Sequence, residues 1–165
     1  MTMEIRKNSR LSEYDYSSVG SYFITVCVKD KQRIFWNNNV GADIIRPLDK
    51  SLLSHYGLIS DKVINDIPNH YSNIFVDKYV IMPNHIHLLI SITADTRDVE
   101  APSPTNELIP RAVSALKRLS NREIGYNIFQ RSYYDHIIRN RHDYDAAWKY
   151  IDENPIKWTS DEFYN

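Results

Sequence analysis

The stretch NIFVDKYVIMPNHIHLLISI, residues 73–92, reads as a β-hairpin. Two runs rich in Val, Ile, Tyr and Phe flank Pro83-Asn84, a dipeptide that favours a tight turn. The spacing predicts one strand over residues 73–82 and another over residues 85–92. In a strand, residues two apart point to the same side. Ile86, Leu88, Ile90 and Ile92 then form a wholly apolar face, while His85, His87, Leu89 and Ser91 form the other. The apolar face seals a core. The second presents two imidazoles side by side on a rigid element, which is half of a metal site. The same pattern also suits two packed or surface histidines, and the pair alone does not choose between them.

Working outward, residues 21–29 (SYFITVCVK) carry the β-branched and aromatic content of a strand. Residues 51–66 follow helical spacing through Leu52, Leu53, Tyr56, Ile59, Val63 and Ile64, and Pro68 is expected to stop that helix. Residues 93–106 read as an acidic, proline-bearing loop. A second helix is expected over residues 110–124, with Pro110 in its first turn and an apolar stripe of Ala112, Val113, Leu116 and Leu119. A fourth strand follows over residues 132–139, and a third helix over residues 143–154, closed by Pro155. The order β-α-β-β-α-β-α predicts an α+β fold: a ferredoxin-like, four-stranded antiparallel sheet with packed helices, in one domain spanning residues 1–165.

The chain has 165 residues, 42% of them hydrophobic and 25% charged, which suits a globular domain with a proper core. No apolar run has membrane-spanning length, and no signal peptide is expected from the N-terminal residues. The single cysteine, Cys27, excludes an internal disulfide and reads as a small buried thiol in a reducing compartment, with cytoplasmic residence as the expectation. The formal net charge of -1 hides an uneven distribution. Between Pro110 and His142 stand seven cations (Arg111, Lys117, Arg118, Arg122, Arg131, Arg139 and Arg141) against Glu123 and Asp135. Arg6, Lys7 and Arg10 add a basic N-terminal arm, and acids such as Asp95, Asp98, Glu100, Asp161 and Glu162 lie elsewhere. A basic face on a neutral protein can bind a phosphate backbone, or can simply be a solvated helix surface.

The third predicted helix bears on function. Tyr150 and Asn154 are four residues apart and share a helix face. If that face lies over the histidine strand, two imidazoles, an amide oxygen and a phenol converge. Such a set could hold a divalent cation and a tyrosine nucleophile, although a phenol with a pKa of about 10 needs activation. The alternative is a packed Tyr150 and an Asn154 that only caps the helix. Tyr133 and Tyr134 are the competing phenols, because they fall on the predicted fourth strand. Tyr144, six residues before Tyr150, should point elsewhere. His136 is read as structural, His55, His70 and His142 as surface residues, and Trp148 and Trp158 as core.

These segments together resemble the REP-associated tyrosine transposases, members of the single-tyrosine His-hydrophobic-His superfamily. The resemblance rests on Arg10-Leu11, Tyr14-Asp15-Tyr16, Gly20-Ser21-Tyr22-Phe23-Ile24-Thr25, Met82-Pro83-Asn84-His85-Ile86-His87, the run from Gln130 to Asn140, Tyr150, and Asn154-Pro155-Ile156-Lys157-Trp158. They span nearly the whole chain in the family's order. The resemblance implies that His85 and His87 ligate a metal, Mg²⁺ or Mn²⁺, and that two histidines suit Mn²⁺ better. Asn154 would complete the site where other superfamily members carry glutamine, and Tyr150 would be the nucleophile. The implied partners are single-stranded DNA hairpins, cut to a 5′-phosphotyrosine and a free 3′-hydroxyl. They would be met by a monomer or homodimer at the nucleoid, with no membrane involved. Arg111, Lys117, Arg118 and Arg122, with Arg6, Lys7 and Arg10 as a flexible arm, are the candidates for DNA contact. Two other readings remain at this point: a hairpin-binding protein with weak or no catalysis, and a hydrolase that uses the histidine pair with water.

Overall fold

A computed structural model describes Tyr14, Tyr16 and residues 18–37, 50–94 and 107–164 of the chain. The hairpin forms as its alternation requires. β2 (Ile74–Ile81) and β3 (His85–Ile92) pair antiparallel from Ile81↔Ile86 outward, and the Met82 N–H donates to the His85 carbonyl at 2.8 Å across the turn. β1 (Gly20–Cys27) pairs with β3 on one side and with β4 (Tyr134–Ile138) on the other, both antiparallel, giving the strand order β2-β3-β1-β4. The two long helices α1 (His55–His70) and α2 (Leu108–Ile124) and the third, α3 (Arg141–Glu153), complete the ferredoxin-like arrangement. Among the described residues no helix is long and apolar enough to cross a membrane.

The sheet has a core on each side. Ile86, Leu88, Ile90 and Ile92 pack with Ile64 and Ile67 of α1 and with Ala112, Val113 and Leu116 of α2. On the opposite side Phe23, Val80 and Leu89 meet Ala147 and Ile151 of α3. α3 is tied to the edge strand β2 by polar contacts. The Tyr144 hydroxyl donates to Asp77 at 3.0 Å, Lys78 pairs with Asp152 at 2.6 Å, and the Lys78 ammonium lies 4.2 Å from the centre of the Trp148 ring. Trp148, read from sequence as core, is 38% exposed, because it lies on the flank of α3, where Lys78 and the Tyr144 ring cover it in part.

Both ends of α1 differ from the periodicity, α2 begins two residues early at Leu108, and α3 lies at Arg141–Glu153 rather than 143–154. α1 starts at His55 because the Ser54 side chain accepts the Gly57 N–H at 3.3 Å and so caps it; Leu53 is drawn instead into a bridge with Trp36. Pro68 does not stop α1. It lies in the last turn, where its missing donor costs only the bond to the Ile64 carbonyl, and the helix closes with the Tyr71 N–H on Ile67 at 3.1 Å. α1 also approaches residues 34–36 closely at Gly57. A methyl there would run into the Phe35 carbonyl oxygen and meet the Leu53 side chain at 3.1 Å. Gly57→Ala should therefore lower stability by about 1–3 kcal/mol, measured by urea denaturation, although alanine is the better helix former.

Candidate metal and tyrosine site

His85 opens β3 directly opposite Cys27 of β1, and His87 lies opposite Thr25. Both imidazoles point to the α3 side, as the alternation requires, and both are fully buried. The sequence reading left it open whether that face is packed or exposed. The structure covers it, because α3 and the chain after it fold back across the sheet. Ring centroids of Phe163 and Trp158 lie 4.6 and 6.0 Å from His85, and Tyr150 meets His87 edge-on at 5.2 Å.

Neighbouring polar groups decide which ring nitrogens are free. The Asn84 Nδ2 donates to the Phe163 carbonyl at 2.9 Å and to the Lys31 carbonyl at 3.4 Å, which turns Oδ1 toward His85 Nδ1 at 2.8 Å. An amide oxygen only accepts, so His85 carries its proton on Nδ1 and keeps a lone pair on Nε2. His87 Nδ1 lies 2.7 Å from the Thr25 hydroxyl, which leaves its Nε2 facing that of His85 at 2.9 Å. Burial pushes both rings below the ordinary imidazole range, His87 to about 3, and the two rings also disfavour each other's charge.

The third donor is one the sequence reading did not select. The Asp161 carboxylate lies 3.8 Å from His85 Nε2, and the ligand atoms of His85, His87 and Asp161 fall within 4.8 Å of one another. Asp161 follows the third helix in the tail WTSDEFY, where only the unusual density of aromatic residues around the acids hints at burial. Burial holds its carboxyl above the usual range, partly offset by the Phe163 N–H and the Asn154 side chain. Asp161 Oδ2 and Asn154 Oδ1 are both buried without a hydrogen-bond donor. Orphaned acceptors of this kind are costly, and Asp161 Oδ2 lies 3.8 Å from His85 Nε2. A divalent cation that accepts mixed nitrogen and oxygen ligands would give Asp161 Oδ2 a partner within reach of both imidazoles, so His85, His87 and Asp161 fit such an ion.

Tyr150 and Asn154 stand one turn apart on the face of α3 that meets this cluster, and the Asn154 side chain favours the charged forms of Tyr150 and Asp161. Asn154 is also the C-terminal cap of α3, as the second reading of its position expected. Burial holds the Tyr150 phenol well above its ordinary range. The Asp161 and Glu162 carboxylates add to this, and the Asn154 bond opposes it. Tyr134 opens β4 opposite Thr25 and lies 5.8 Å from Phe163, which makes it a second phenol at the rim. Tyr144 is turned to Asp77, and His136 is held by Asp143 at 3.0 Å. His55, His70 and His142 are exposed, and Trp158 is buried. Cys27 is buried, and burial lifts its thiol to about 12.

Of the cations proposed from sequence, Arg111, Arg118 and Arg122 are exposed along α2, and Arg6, Lys7 and Arg10 lie outside the described residues. Lys117 has a different task. Its ammonium donates to the Gln130, Arg131 and Ser132 carbonyls at 2.8, 3.1 and 2.9 Å, and burial lowers it to about 8. All three of its donors are used in tying α2 to the segment that leads into β4. Lys117→Ala should cost about 1–3 kcal/mol of stability in chemical denaturation, because it strips three carbonyls of their donor. A variant as stable as the parent would return Lys117 to the solvated cations.

The chain is 32% identical over 176 residues to an uncharacterised protein of Haemophilus influenzae, an alignment that covers 96% of this chain and 93% of that one. No family profile matches it. Among solved structures, a REP-associated tyrosine transposase bound to a REP hairpin superposes with a TM-score of 0.60 at 19% identity, over 93% of this chain and 74% of that one. A protein of Deinococcus radiodurans aligns at a TM-score of 0.46 and 19% identity, over 90% of this chain and 97% of its own.

Proposed function

Since the chain belongs to one family with the Haemophilus influenzae protein and carries the fold of a REP-associated tyrosine transposase, we propose that it is a metal-dependent single-stranded DNA strand transferase acting near hairpins. The observation that carries this reading is the convergence of His85, His87 and Asp161 on one buried point, with Tyr150 beside His87 and Asn154 one turn from Tyr150 on the same helix face. The two histidines, Asp161 and Asn154 would hold the cation. When bound, it would draw charge from a phosphate's oxygens and from the departing 3′ oxygen.

The chain's own residues supply the rest. The Tyr150 oxygen attacks the scissile phosphorus as the bond from phosphorus to the 3′ oxygen breaks. The products are a 5′-phosphotyrosine and a 3′-hydroxyl, and the reverse attack rejoins a strand with no external energy source. Asn154 is the neighbour that favours a phenolate, against burial and two carboxylates. His85 and His87 stay neutral in their buried setting, each with its Nε2 turned inward. Because Phe163 and Trp158 roof the histidines, a phosphate reaches them only when residues 158–164 give way.

The test is incubation of the protein with labelled single-stranded hairpin DNA and Mn²⁺ or Mg²⁺, followed by a denaturing gel. A labelled protein–DNA adduct, with a free 3′-hydroxyl on the other fragment, is expected. Cleavage with no adduct would point to a hydrolase that uses the same cluster with water. Binding with neither product would point to a hairpin-binding protein.

A further inference from the structure

A second surface lies at the same end of the sheet as the histidine pair. The chain after α2 does not leave the fold at once. Residues 128–130 run beside the end of β1, with Val28 bridging Phe129, the Lys29 N–H on the Ile128 carbonyl at 2.8 Å and the Gln130 N–H on the Cys27 carbonyl at 2.8 Å. Between this segment and the C-terminal half of α2 opens a cleft of about 790 Å³. Lys29, Lys117, Arg118, Arg122 and Arg131 line it, and no carboxylate does among the described residues. The nearest acid on the helix, Glu123, is turned to Lys62 at 3.3 Å. Since the Lys117 ammonium is used by three carbonyls, four cations remain to face a ligand.

The position of the cleft follows from the topology. Lys29 is two residues past Cys27, which pairs with His85. Arg131 is three residues before Tyr134, which opens β4 opposite Thr25, itself opposite His87 on the far side of β1. Arg118 and Arg122 occupy the last two turns of α2, at this same end. Arg111 sits two to three turns earlier, beside Tyr71, in an adjoining depression that Glu107 lines and that shares Ser114 and Arg118 with the cleft. A chain of phosphates lying in the cleft would thus continue around the sheet end toward the histidines.

The rim carries an aromatic as well. Tyr126 is 55% exposed, yet its ring is held: its hydroxyl donates to that of Tyr56 at 3.0 Å, and the two rings meet edge-on at 6.2 Å. A braced ring with an open face beside a basic groove is the combination that receives an unpaired base and its phosphate, because every base offers a π-face. A groove of this volume takes a ligand of one or a few nucleotides rather than a duplex.

We propose that this cleft is the track for the single-stranded flank of a nucleic acid: Lys29, Arg118, Arg122 and Arg131 grip its phosphates and Tyr126 stacks on a base. The proposal rests on the strand-transferase reading for what happens at the far end of the track, but its own test measures binding alone. Fluorescence anisotropy would compare a labelled DNA hairpin bearing a single-stranded flank with the same hairpin made blunt. The full chain should prefer the flanked hairpin about tenfold or more. Lys29→Ala with Arg131→Ala, or Arg118→Ala with Arg122→Ala, should abolish that preference. Each pair should also reduce the slope of log affinity against log salt by about 1.4, which is two single-strand contacts at about 0.7 each. Tyr126→Ala should weaken the flanked hairpin about tenfold with no change of slope. Lys149→Ala, a cation on α3, serves as the control and should leave both unchanged. Equal binding of blunt and flanked hairpins, or unchanged slopes in both pairs, overturns the proposal.

If a paired variant fails to fold, photo-crosslinking of the unaltered chain to a flank carrying 5-iodouracil decides instead. A crosslink on Tyr126 supports the track, and crosslinks confined to other peptides overturn it. Loss of the covalent adduct with binding intact would count against the strand-transferase reading and leave the track standing. Adduct formation with indifferent cleft variants would do the reverse.

Discussion

Tyr150→Phe is expected to abolish the covalent adduct and strand cleavage while leaving hairpin affinity within a few-fold of the parent chain. The substitution removes one hydroxyl and keeps the ring that packs edge-on against Phe23 and His87, at centroid distances of 5.7 and 5.2 Å. The lost bond to Asn154 should change stability by no more than about 1 kcal/mol. Chemistry should fall by about a thousandfold or more, because no neighbouring group can replace the attacking oxygen in the same position. The measurement is a denaturing gel of labelled DNA after incubation with Mn²⁺, paired with anisotropy on the same samples. Undiminished cleavage by Tyr150→Phe would pass the role to another phenol. Tyr134 is the next to replace, since it faces the same side of the sheet from β4. Loss of both binding and cleavage would instead make Tyr150 a packing residue.

The same residues show what a sequence can and cannot reveal here. Residues 85–92 alternate so cleanly that strand, register and the sidedness of His85 and His87 all follow from a period of two, and β3 begins and ends as that period predicts. The Tyr150 and Asn154 spacing likewise survives folding, because four residues on a helix is a local relation. Boundaries set by single side chains were less legible. Ser54 caps α1 three residues inside the stretch its apolar periodicity suggested, and Pro68 is tolerated because it falls in the final turn. What could not be read was tertiary. Asp161 reaches the histidines only because the tail after α3 folds back over the sheet, and no local pattern encodes that return. Lys117 looks like any helix-surface cation until three carbonyls from residues 130–132 are brought to it. The buried state of the histidine face belongs to the same class: alternation says which way a side chain points, and only the docking of α3 and its tail says what covers it.

Replacing either histidine should remove cleavage, and the covered site changes how that experiment must be read. On an open face, His85→Ala or His87→Ala would leave the fold untouched. Here each ring is fully buried. His85→Ala takes the donor from Asn84 Oδ1 and the support from beneath Phe163, and His87→Ala leaves a void between Phe23 and Tyr150 with the Thr25 hydroxyl deprived of its partner. Each should cost about 2–4 kcal/mol of stability from cavity and lost hydrogen bond together. Activity loss alone therefore cannot separate a ligand from a packing residue, but linkage can. An ion that binds only the folded chain stabilises it by about 2.7 kcal/mol at a hundred times its dissociation constant. Mn²⁺ should raise the melting temperature of the parent chain and of Tyr150→Phe, and excess chelator should reverse the rise. The rise should vanish in His85→Ala and His87→Ala, and it should shrink in Asp161→Asn, which keeps the shape of the side chain but removes its charge. A rise that persists in both histidine variants, or cleavage that proceeds at full rate in chelator, would leave the two imidazoles as core residues. The orphaned oxygens of Asp161 and Asn154 would then still need a partner.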